Sequence, residues 1–271
     1  MRIEGRVALV TGASGGLGHT IARHVAHEGA RLVLTARRTD VLERLAAELD
    51  ATTMPCDLAD PASAAGLVEQ AGEIDLLIAN AGVDAAEDLV DLGTDEIART
   101  VAVNLTAPAV LAAGFARGMA RRGNGHIVLI ASMAGKIATV GNGTLYTATK
   151  WGLRGLGLGL REELRGTGVG VSTIFPGPIS DSGMFADTGV PLPNSIKANT
   201  SLDVAHAVLE AVEHDRGEVD VASPLLRFAG AIGAVTPSLV GRVSRQQGAG
   251  EVRRQMVAAR RTPDPHDKRS D

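Results

Sequence analysis

The amino-acid sequence predicts an α/β protein with a doubly wound parallel sheet of about seven strands, helices on both faces and an extra C-terminal helical segment. Two observations support this prediction. Short runs rich in Val, Ile and Leu alternate along the chain with stretches whose apolar residues recur at helical spacing, and such alternation is typical of parallel sheets with right-handed crossovers. The runs are also apolar at successive positions, which suits strands buried on both faces.

The individual elements follow from these patterns. The apolar runs predict strands at 7–10, 32–34, 74–78, 127–130, 169–174 and 219–222. Leu17, Ile21 and Val25 recur at helical spacing after the first strand, and further helices are predicted over about 103–121, 145–165 and 202–213. Asp40, with Glu43 three residues later, is predicted to form a capping box for the helix after the second strand.

The chain is predicted to form one domain, because no Pro- or Ser-rich linker divides it. Residues 1–223 would form the Rossmann-type domain, 224–262 a helical extension of it, and the Pro- and charge-rich 263–271 a disordered tail. The extension has no recognisable motif. It is expected to cover the active site or extend an oligomer contact rather than rest on a membrane, since Arg227 and Pro237 interrupt its apolar face.

Composition excludes several classes of protein. Of 271 residues, 45% are hydrophobic, and the net charge of -4 offers no basic field for nucleic acid. The single cysteine, Cys56, excludes a disulfide framework, and His24 and His27 lack the further ligands of a metal site. The charged start excludes a signal peptide. The late apolar stretch 228–235 is far shorter than the roughly 20 residues of a membrane span, so we expect a cytoplasmic protein with no integral membrane segment.

A glycine-rich turn follows the first strand and leads into a helix. Its candidate contact residues are Gly12, Ser14, Gly15, Gly16, Leu17 and Gly18. Glycines let the backbone approach a pyrophosphate, whose charge then lies at the helix N-terminus. The same residues match Gly-x-Ser-x-Gly, the nucleophile elbow of α/β-hydrolases, but too few residues precede Gly12 for the upstream strand and oxyanion loop that this elbow needs.

The second strand is followed by Arg37 and Arg38. A site for NAD usually has an acidic residue there to bind the ribose hydroxyls, whereas two guanidinium groups suit a 2′-phosphate. NADP is therefore favoured over NAD.

Tyr146, the single tyrosine, lies four residues before Lys150, a spacing that stacks both side chains on one helix face. A free phenol has a pKa of about 10, and a neighbouring ammonium favours the phenolate. Ser132 follows a predicted strand, Asn104 lies near the start of a predicted helix, and Asn80 ends another strand. Ligands bind at the carboxyl ends of parallel strands, so these residues are expected to meet at one rim.

These positions together resemble the classical short-chain dehydrogenases/reductases (the SDR family). The matching residues appear in family order from residue 5 to about 222 and are Thr11-Gly12-x-x-x-Gly16-x-Gly18, Asp57, Asn80-Ala81-Gly82, Asn104, Ser132, Tyr146-x-x-x-Lys150 and Pro176-Gly177.

The resemblance implies a catalytic role for four of these residues. Tyr146 would be the general acid for ketone reduction and the general base for alcohol oxidation, and Lys150 would support the phenolate and hold the nicotinamide ribose. Ser132 would hydrogen-bond the substrate oxygen. Asn104 would hold a water molecule that links Lys150 to solvent.

The resemblance also implies the cofactor contacts outside the glycine-rich turn and the two arginines. They are Asp57 and Leu58 at the adenine, Asn80, Ala81 and Gly82 along the ribose, and Tyr146, Lys150, Pro176, Gly177 and Ile179 around the nicotinamide ribose and ring.

Two positions depart from the family pattern. Gly15 stands where NADP-dependent members often have a basic residue. Ser180-Asp181-Ser182 stand where a threonine often contacts the nicotinamide carboxamide, so that contact stays open between Ser180 and Ser182.

The sequence thus predicts an NADP(H)-dependent oxidoreductase that interconverts a carbonyl and a secondary alcohol, acting on a lipophilic small molecule. The predicted substrate pocket comprises Ser132, Ile137, Val140, Leu145, Tyr146, Pro178, Met184 and Phe185. The alternative is a degenerate member that binds nucleotide as a sensor or scaffold without turnover, although such a protein has no need of the intact catalytic set.

A homo-oligomer, dimer or tetramer, is also predicted. Gly152, Gly155, Gly157 and Gly159 lie within one predicted helix, where each glycine costs roughly 0.5–1 kcal/mol relative to Ala. Close approach of another helix across a subunit interface would explain them, and a locally irregular helix is the alternative.

Overall fold

The computed structural model describes residues 1–85, 87–137, 143–187, 189–190 and 197–233, together with Gln255 and Ala258. The strands are β1 (Val7–Thr11), β2 (Arg31–Thr35), β3 (Thr52–Thr53), β4 (Leu76–Ala79), β5 (Gly125–Ile130), β6 (Val169–Pro176) and β7 (Glu218–Val221). Within the described residues they pair in parallel in the order β3-β2-β1-β4-β5-β6-β7. The predicted doubly wound parallel sheet is confirmed.

Helices cover both faces of this sheet. They are α1 (Gly16–His27), α2 (Thr39–Leu49), α3 (Pro61–Gln70), α4 (Thr94–Val101), α5 (Ala107–Arg122), α6 (Thr144–Glu163), α7 (Gly183–Ala186), α8 (Ser201–His214) and α9 (Pro224–Gly233). The strand order reverses between β1 and β4, which opens a crevice at their carboxyl ends, where ligands bind in this architecture.

The sheet separates two apolar cores, and adjacent residues of β1 contribute to opposite ones. Val10 packs with residues of α1, α2 and α8, whereas Leu9 packs with residues of α3, α5 and α6. Both side chains are fully buried. Successive apolar residues are therefore required along β1, because both of its faces are covered.

The predicted helix start near residue 103 is wrong. The helix begins at Thr94 with α4 and passes through a π-helical turn, Ala102–Thr106, into α5. The sequence pattern concealed this start because α4 buries only Thr100. Its first turn is stabilised by Asp95 and Glu96, since acidic side chains favour the positive end of the helix dipole.

The predicted capping box is also wrong. The helix α2 begins at Thr39, so Arg38 occupies the N-cap position and Asp40 lies inside the first turn. The Asp40 carboxylate instead accepts a hydrogen bond from Arg44 at 3.0 Å.

The stretch Thr94–Arg122 is long and apolar enough to span a membrane by length and composition alone. In the folded chain its second half lies against the sheet. The buried residues of α5 are Ala107, Pro108, Leu111, Ala112, Phe115, Ala116 and Met119. This stretch is therefore a core helix of the domain.

The glycines of α6 divide into two pairs. A Cβ on Gly152 would lie 2.9 Å from the Leu105 side chain, and one on Gly157 would overlap the Thr173 hydroxyl. These two glycines are explained by packing within the chain. Among the described residues, a Cβ on Gly155 or Gly159 would have no neighbour within 4 Å, so the predicted interface depends on these two glycines.

The C-terminal extension begins with α9, which packs on the turn after β5. A Cβ on Gly230 would lie 2.9 Å from the Met133 methyl group. Beyond Gly233 the described residues are Gln255 and Ala258, both helical. The rest of the predicted extension and the predicted tail at 263–271 lie outside the described residues.

His126 is a buried titratable side chain within the sheet. It lies on β5 and is 1% exposed, and its Nε2 atom is 2.8 Å from the Ser172 hydroxyl on β6. Burial lowers the pKa of His126 from 6.5 to about 4. The carboxylate of Asp215 partly opposes this shift, while the N-terminus and Arg161 add to it.

We expect the fold to lose stability as the pH falls from 6.5 towards 4, because the unfolded chain protonates His126 in this window and the folded chain does not. Between pH 7 and pH 5, the free energy of unfolding should fall by about 2 kcal/mol more in the wild type than in His126→Gln. Urea unfolding at both pH values measures this difference. The exposed His27→Gln is the control, and equal pH dependence of wild type and His126→Gln would contradict the prediction.

Candidate active site

The glycine-rich turn after β1 brings backbone into contact with backbone. Gly12 has φ +65°, and a Cβ there would lie 2.8 Å from the Ala81 Cα. A Cβ on Gly18 would overlap the Gly12 carbonyl oxygen. Gly15 occupies the N-cap of α1 and Gly16 its first position, so neither residue adds a side chain of its own beside the first N–H groups of the helix. Such a helix start binds anions, phosphate in particular.

Asn80 holds this turn in place. Its backbone N–H and that of Ala81 donate to the Thr11 hydroxyl at 3.0 and 2.9 Å, and its side-chain amide donates to the Thr11 carbonyl at 3.0 Å. The resemblance places Asn80 along the cofactor ribose. In the structure its side chain is directed at the end of β1, so it would act on a nucleotide by fixing the turn.

The two arginines after β2 lie at the entrance to this turn. Both are exposed, and the Arg38 guanidinium donates to the Ser14 carbonyl. Arg38 thus reaches from the end of β2 across to the glycine-rich turn. No acidic side chain lies at 36–38, between the end of β2 and α2.

The next strand along the sheet edge leads to Asp57, also exposed, whose carboxylate accepts from the Ala59 N–H at 3.1 Å. Asp57 lines an open cavity of about 480 Å³ whose other walls come from α3, α4 and the π turn. Leu58 beside it is buried in the apolar core. Of the two adenine contacts implied by the resemblance, Asp57 therefore borders a cavity of ligand size and Leu58 does not line it.

Asn104 is fully buried in the π turn, and its amide makes three hydrogen bonds to protein groups. Its oxygen accepts from the Val83 N–H at 2.8 Å, and its nitrogen donates to the Val83 carbonyl at 2.8 Å and the Thr149 hydroxyl at 3.2 Å. Asn104 therefore fixes the segment that follows β4 against α6.

Ser132 lies two residues beyond β5 in extended conformation, with φ -173°. Its hydroxyl accepts from the Ala134 N–H at 3.1 Å and thereby caps a 3₁₀ turn, Met133–Gly135. The side chain is half-buried at the carboxyl rim of the sheet.

Tyr146 and Lys150 lie one helical turn apart near the start of α6. The Lys150 ammonium is 5.5 Å from the centre of the Tyr146 ring and donates to the Ile130 carbonyl at 3.1 Å. Lys150 is only 3% exposed. Burial lowers its pKa to about 8, and the Asp84 carboxylate partly opposes this shift, so the side chain remains mainly an ammonium at pH 7.

The segment after β6 crosses the crevice. Gly177 donates to the Val221 carbonyl at 2.8 Å, and buried Ile179 pairs with Asn199. The Asp181 carboxylate accepts from the N–H and hydroxyl of Ser201 at 2.8 and 2.9 Å.

Ser180 and Ser182, the two candidates for the contact with the nicotinamide carboxamide, lie in different surroundings. The Ser180 hydroxyl donates to the Asn199 carbonyl at 3.3 Å. The Ser182 side chain packs on Gly16, and among the described residues its buried hydroxyl has no hydrogen-bond partner. Ser182 therefore presents an unused hydroxyl at the N-terminus of α1.

The predicted pocket residues differ in environment. Ile137 and Leu145 are 2% and 8% exposed, and Pro178 is half-buried. The Met184 methyl group lies beside Gly82, which also has the Lys150 ammonium and the Asn104 amide oxygen as neighbours. Val140 and the side chain of Phe185 lie outside the described residues.

Sequence reasoning missed Thr149, Asp181 and Ser201 as parts of this site. Thr149 donates to the Tyr146 carbonyl at 2.8 Å and is a partner of Asn104. Asp181 and Ser201 join the segment after β6 to α8. Only the spacing of Thr149, three residues after Tyr146, was visible in the sequence.

Comparisons with known proteins agree with this geometry. The family model described as short chain dehydrogenase matches residues 6–190. The ketoacyl reductase HetN of Nostoc sp. is 35% identical over 257 residues, 90% of this chain and 89% of the relative. The 1-deoxy-11-beta-hydroxypentalenate dehydrogenase of Streptomyces exfoliatus is 33% identical over 231 residues, 80% of this chain and 82% of the relative.

Two solved structures show the same fold. A metagenomic short-chain oxidoreductase in complex with NADP matches with TM-score 0.69 and 36% identity, covering 82% of this chain and 98% of that one. The bulky-bulky ketone specific alcohol dehydrogenase from Comamonas testosteroni matches with TM-score 0.72 and 29% identity, covering 86% and 93%.

We expect Gly18→Ala to weaken the binding of a nicotinamide dinucleotide at least about tenfold, because the new methyl group would displace the Gly12 carbonyl and with it the turn. Gly66→Ala is the control, since the space beside that glycine on α3 accommodates a Cβ at ordinary contact distance, 3.6 Å. Fluorescence titration with NADPH measures both dissociation constants. Undiminished affinity in Gly18→Ala would contradict the role of the turn.

Proposed function

The chain belongs to the short-chain dehydrogenase family and is an oxidoreductase, and on that premise we propose that it is an NADP(H)-dependent enzyme that interconverts a carbonyl compound and a secondary alcohol. One observation supports this proposal above the others. The buried Lys150 ammonium lies 5.5 Å from the Tyr146 ring centre and is bonded to the end of β5, the strand that leads to Ser132. A proton donor, a cation and a hydroxyl thus belong to one rim of the sheet.

The residues of the crevice fit a dinucleotide. A side chain at Gly12 or Gly18 would collide with backbone, so these glycines keep the turn between β1 and the start of α1 tight, as a dinucleotide site requires. The Ser182 hydroxyl, buried and without a partner among the described residues, lies beside Gly16. Phosphate oxygens would accept hydrogen bonds from this hydroxyl and from the helix N–H groups.

When bound, the nicotinamide supplies or accepts a hydride at the carbon of the reacting carbonyl or alcohol. In reduction, Tyr146 donates its phenolic proton to the substrate oxygen, and in oxidation it takes that proton back. Ser132 donates a hydrogen bond to the same oxygen and stabilises the charge that develops there. Lys150 supplies a fixed positive charge beside the phenol, which favours the phenolate when the proton has left.

Three features support NADP as the cofactor. Arg37 and Arg38 follow β2 where an NAD site usually has an acidic residue. Arg38 already reaches the Ser14 carbonyl, at the edge of the turn where a 2′-phosphate would be accessible to both guanidinium groups. The metagenomic relative was solved with NADP.

A lipophilic, uncharged substrate of steroid, polyketide or fatty-acyl type is supported by the residues near the catalytic side chains. Leu145 precedes Tyr146, and Pro178 and Met184 belong to the segment that crosses the crevice. One relative is named a ketoacyl reductase, a name that agrees with a substrate of fatty-acyl or polyketide type.

We expect Tyr146→Phe to lower kcat for carbonyl reduction by about 10² to 10⁴, because the phenylalanine ring keeps the packing and removes the proton donor. The dissociation constant of NADPH should change less than about twofold. Initial rates of NADPH oxidation with a panel of ketones and aldehydes, followed by fluorescence titration, measure both quantities. Unchanged turnover would contradict the assignment. NADPH binding with no turnover in the wild type would favour a nucleotide sensor or scaffold.

We expect Arg38→Ala to reduce the preference for NADPH over NADH at least about tenfold, since charge-assisted hydrogen bonds to the 2′-phosphate are lost. Kinetic constants for both cofactors should show the loss in the KM of NADPH with little effect on NADH. Arg44→Ala on α2, also exposed and of the same charge, is the control. An equal rise of KM for NADPH and NADH would contradict a role in phosphate recognition. It would show that Arg38 acts only by stabilising the glycine-rich turn.

A further inference from the structure

An ionic cluster joins the 3₁₀ turn after Ser132 to α6 and β7. It consists of Lys136, Arg154, Glu218 and Asp220. The Lys136 ammonium is 2.6 Å from Asp220 and 3.1 Å from Glu218, both on β7. Arg154 on α6 makes a bidentate pair with Glu218 at 2.7 and 3.2 Å. Two cations and two carboxylates therefore balance one another.

Burial makes the charge balance of this cluster important. Lys136 is only 7% exposed, and its ammonium lies 4.0 Å above the centre of the fully buried Phe175 ring. Burial alone would raise the pKa of Glu218, but hydrogen bonds from Arg154 and Lys136 outweigh it, and the pKa lies below its usual value. Removing one partner of such a pair leaves a buried charge without compensation.

The cluster is joined directly to both catalytic elements. Lys136 closes the 3₁₀ turn that Ser132 begins, and its N–H donates to the Met133 carbonyl at 3.0 Å. On the other side, Arg154 lies one helical turn after Lys150. The turn and the helix touch without a gap, since a Cβ on Gly135 would lie 2.7 Å from the Lys150 carbonyl oxygen.

The helix α9, which follows β7, also contacts the turn and Lys136. A Cβ on Gly230 of α9 would lie 2.9 Å from the Met133 methyl group and 3.6 Å from the Lys136 Cβ. The first helix of the extension therefore packs over the turn and the stem of Lys136.

We propose that Lys136 is a positioning residue for carbonyl reduction: it anchors the Ser132 turn to β7 and, through Glu218 and Arg154, to the helix that carries Tyr146 and Lys150. This inference rests on the proposed function. Lys136 touches neither substrate nor cofactor. It acts by fixing where the Ser132 hydroxyl lies relative to the Tyr146 phenol, and a displacement of about 1 Å at such a group can cost about 10²-fold in rate.

The test is a double-mutant cycle between Lys136→Met and Ser132→Ala. With the ketone that the wild type reduces fastest, Lys136→Met should lower kcat by about 10- to 100-fold and change the NADPH dissociation constant less than about twofold. In the Ser132→Ala background, the same substitution should lower kcat by less than about threefold, because the hydroxyl that it positions is absent.

The rates are expressed per NADPH-binding site, so that partial unfolding does not count as lost catalysis. Arg165→Met, which breaks an exposed pair with Glu162 at the end of α6, is the control and should leave kcat unchanged. If Lys136→Met does not fold, Lys136→Met with Asp220→Asn enters the same cycle, because it removes both charges and keeps the pair of Arg154 with Glu218.

The outcomes separate this inference from the proposed function. A wild type that reduces no carbonyl compound contradicts both. A wild type that turns over normally, with a Lys136→Met variant that keeps the wild-type kcat, contradicts only the positioning role. An equal loss of kcat on Lys136→Met in the wild-type and Ser132→Ala backgrounds also contradicts the positioning role, since it would show a general effect on the fold.

Discussion

The buried ammonium of Lys150 is the constraint on which the arrangement of the site depends. A cation removed from water is costly unless dipoles and charges compensate it. The compensation here comes from the Ile130 carbonyl at the end of β5 and from the more distant Asp84 carboxylate. These partners hold the start of α6 against the sheet. The Tyr146 ring, one turn earlier on the same helix, is thereby held beside the ammonium.

Several polar side chains around this ammonium form hydrogen bonds to backbone groups, and these bonds occupy atoms that could otherwise bind a ligand. The amide of Asn80 bonds to the backbone at the end of β1, and that of Asn104 bonds to the backbone of Val83 in the segment after β4. Asp181 does the same for the first residue of α8. Buried backbone groups require such partners. Among the described residues, the Ser182 hydroxyl is one of the buried polar groups that keep no protein partner.

The Ser132 turn is supported from two directions. At its start the serine hydroxyl caps the turn through Ala134, and at its end Lys136 extends into the ionic cluster with Arg154, Glu218 and Asp220. The partners in this cluster come from α6 and β7, and α9 packs over it. A short 3₁₀ turn has little stability of its own, so its geometry is set by these tertiary contacts.

The sequence by itself determined the sheet, the glycine-rich turn and the position of Tyr146 beside Lys150, because burial on two faces and contact between neighbours on one helix leave regular patterns in the chain. Val7–Thr11 and Tyr146 with Lys150 are examples. The start of α4, the π turn around Asn104 and the partners of Asp181 were decided only by tertiary structure. A surface helix leaves a weak apolar pattern. The partner of a buried polar group is whichever distant group the fold brings near, as with Lys136 and Asp220, which are 84 residues apart.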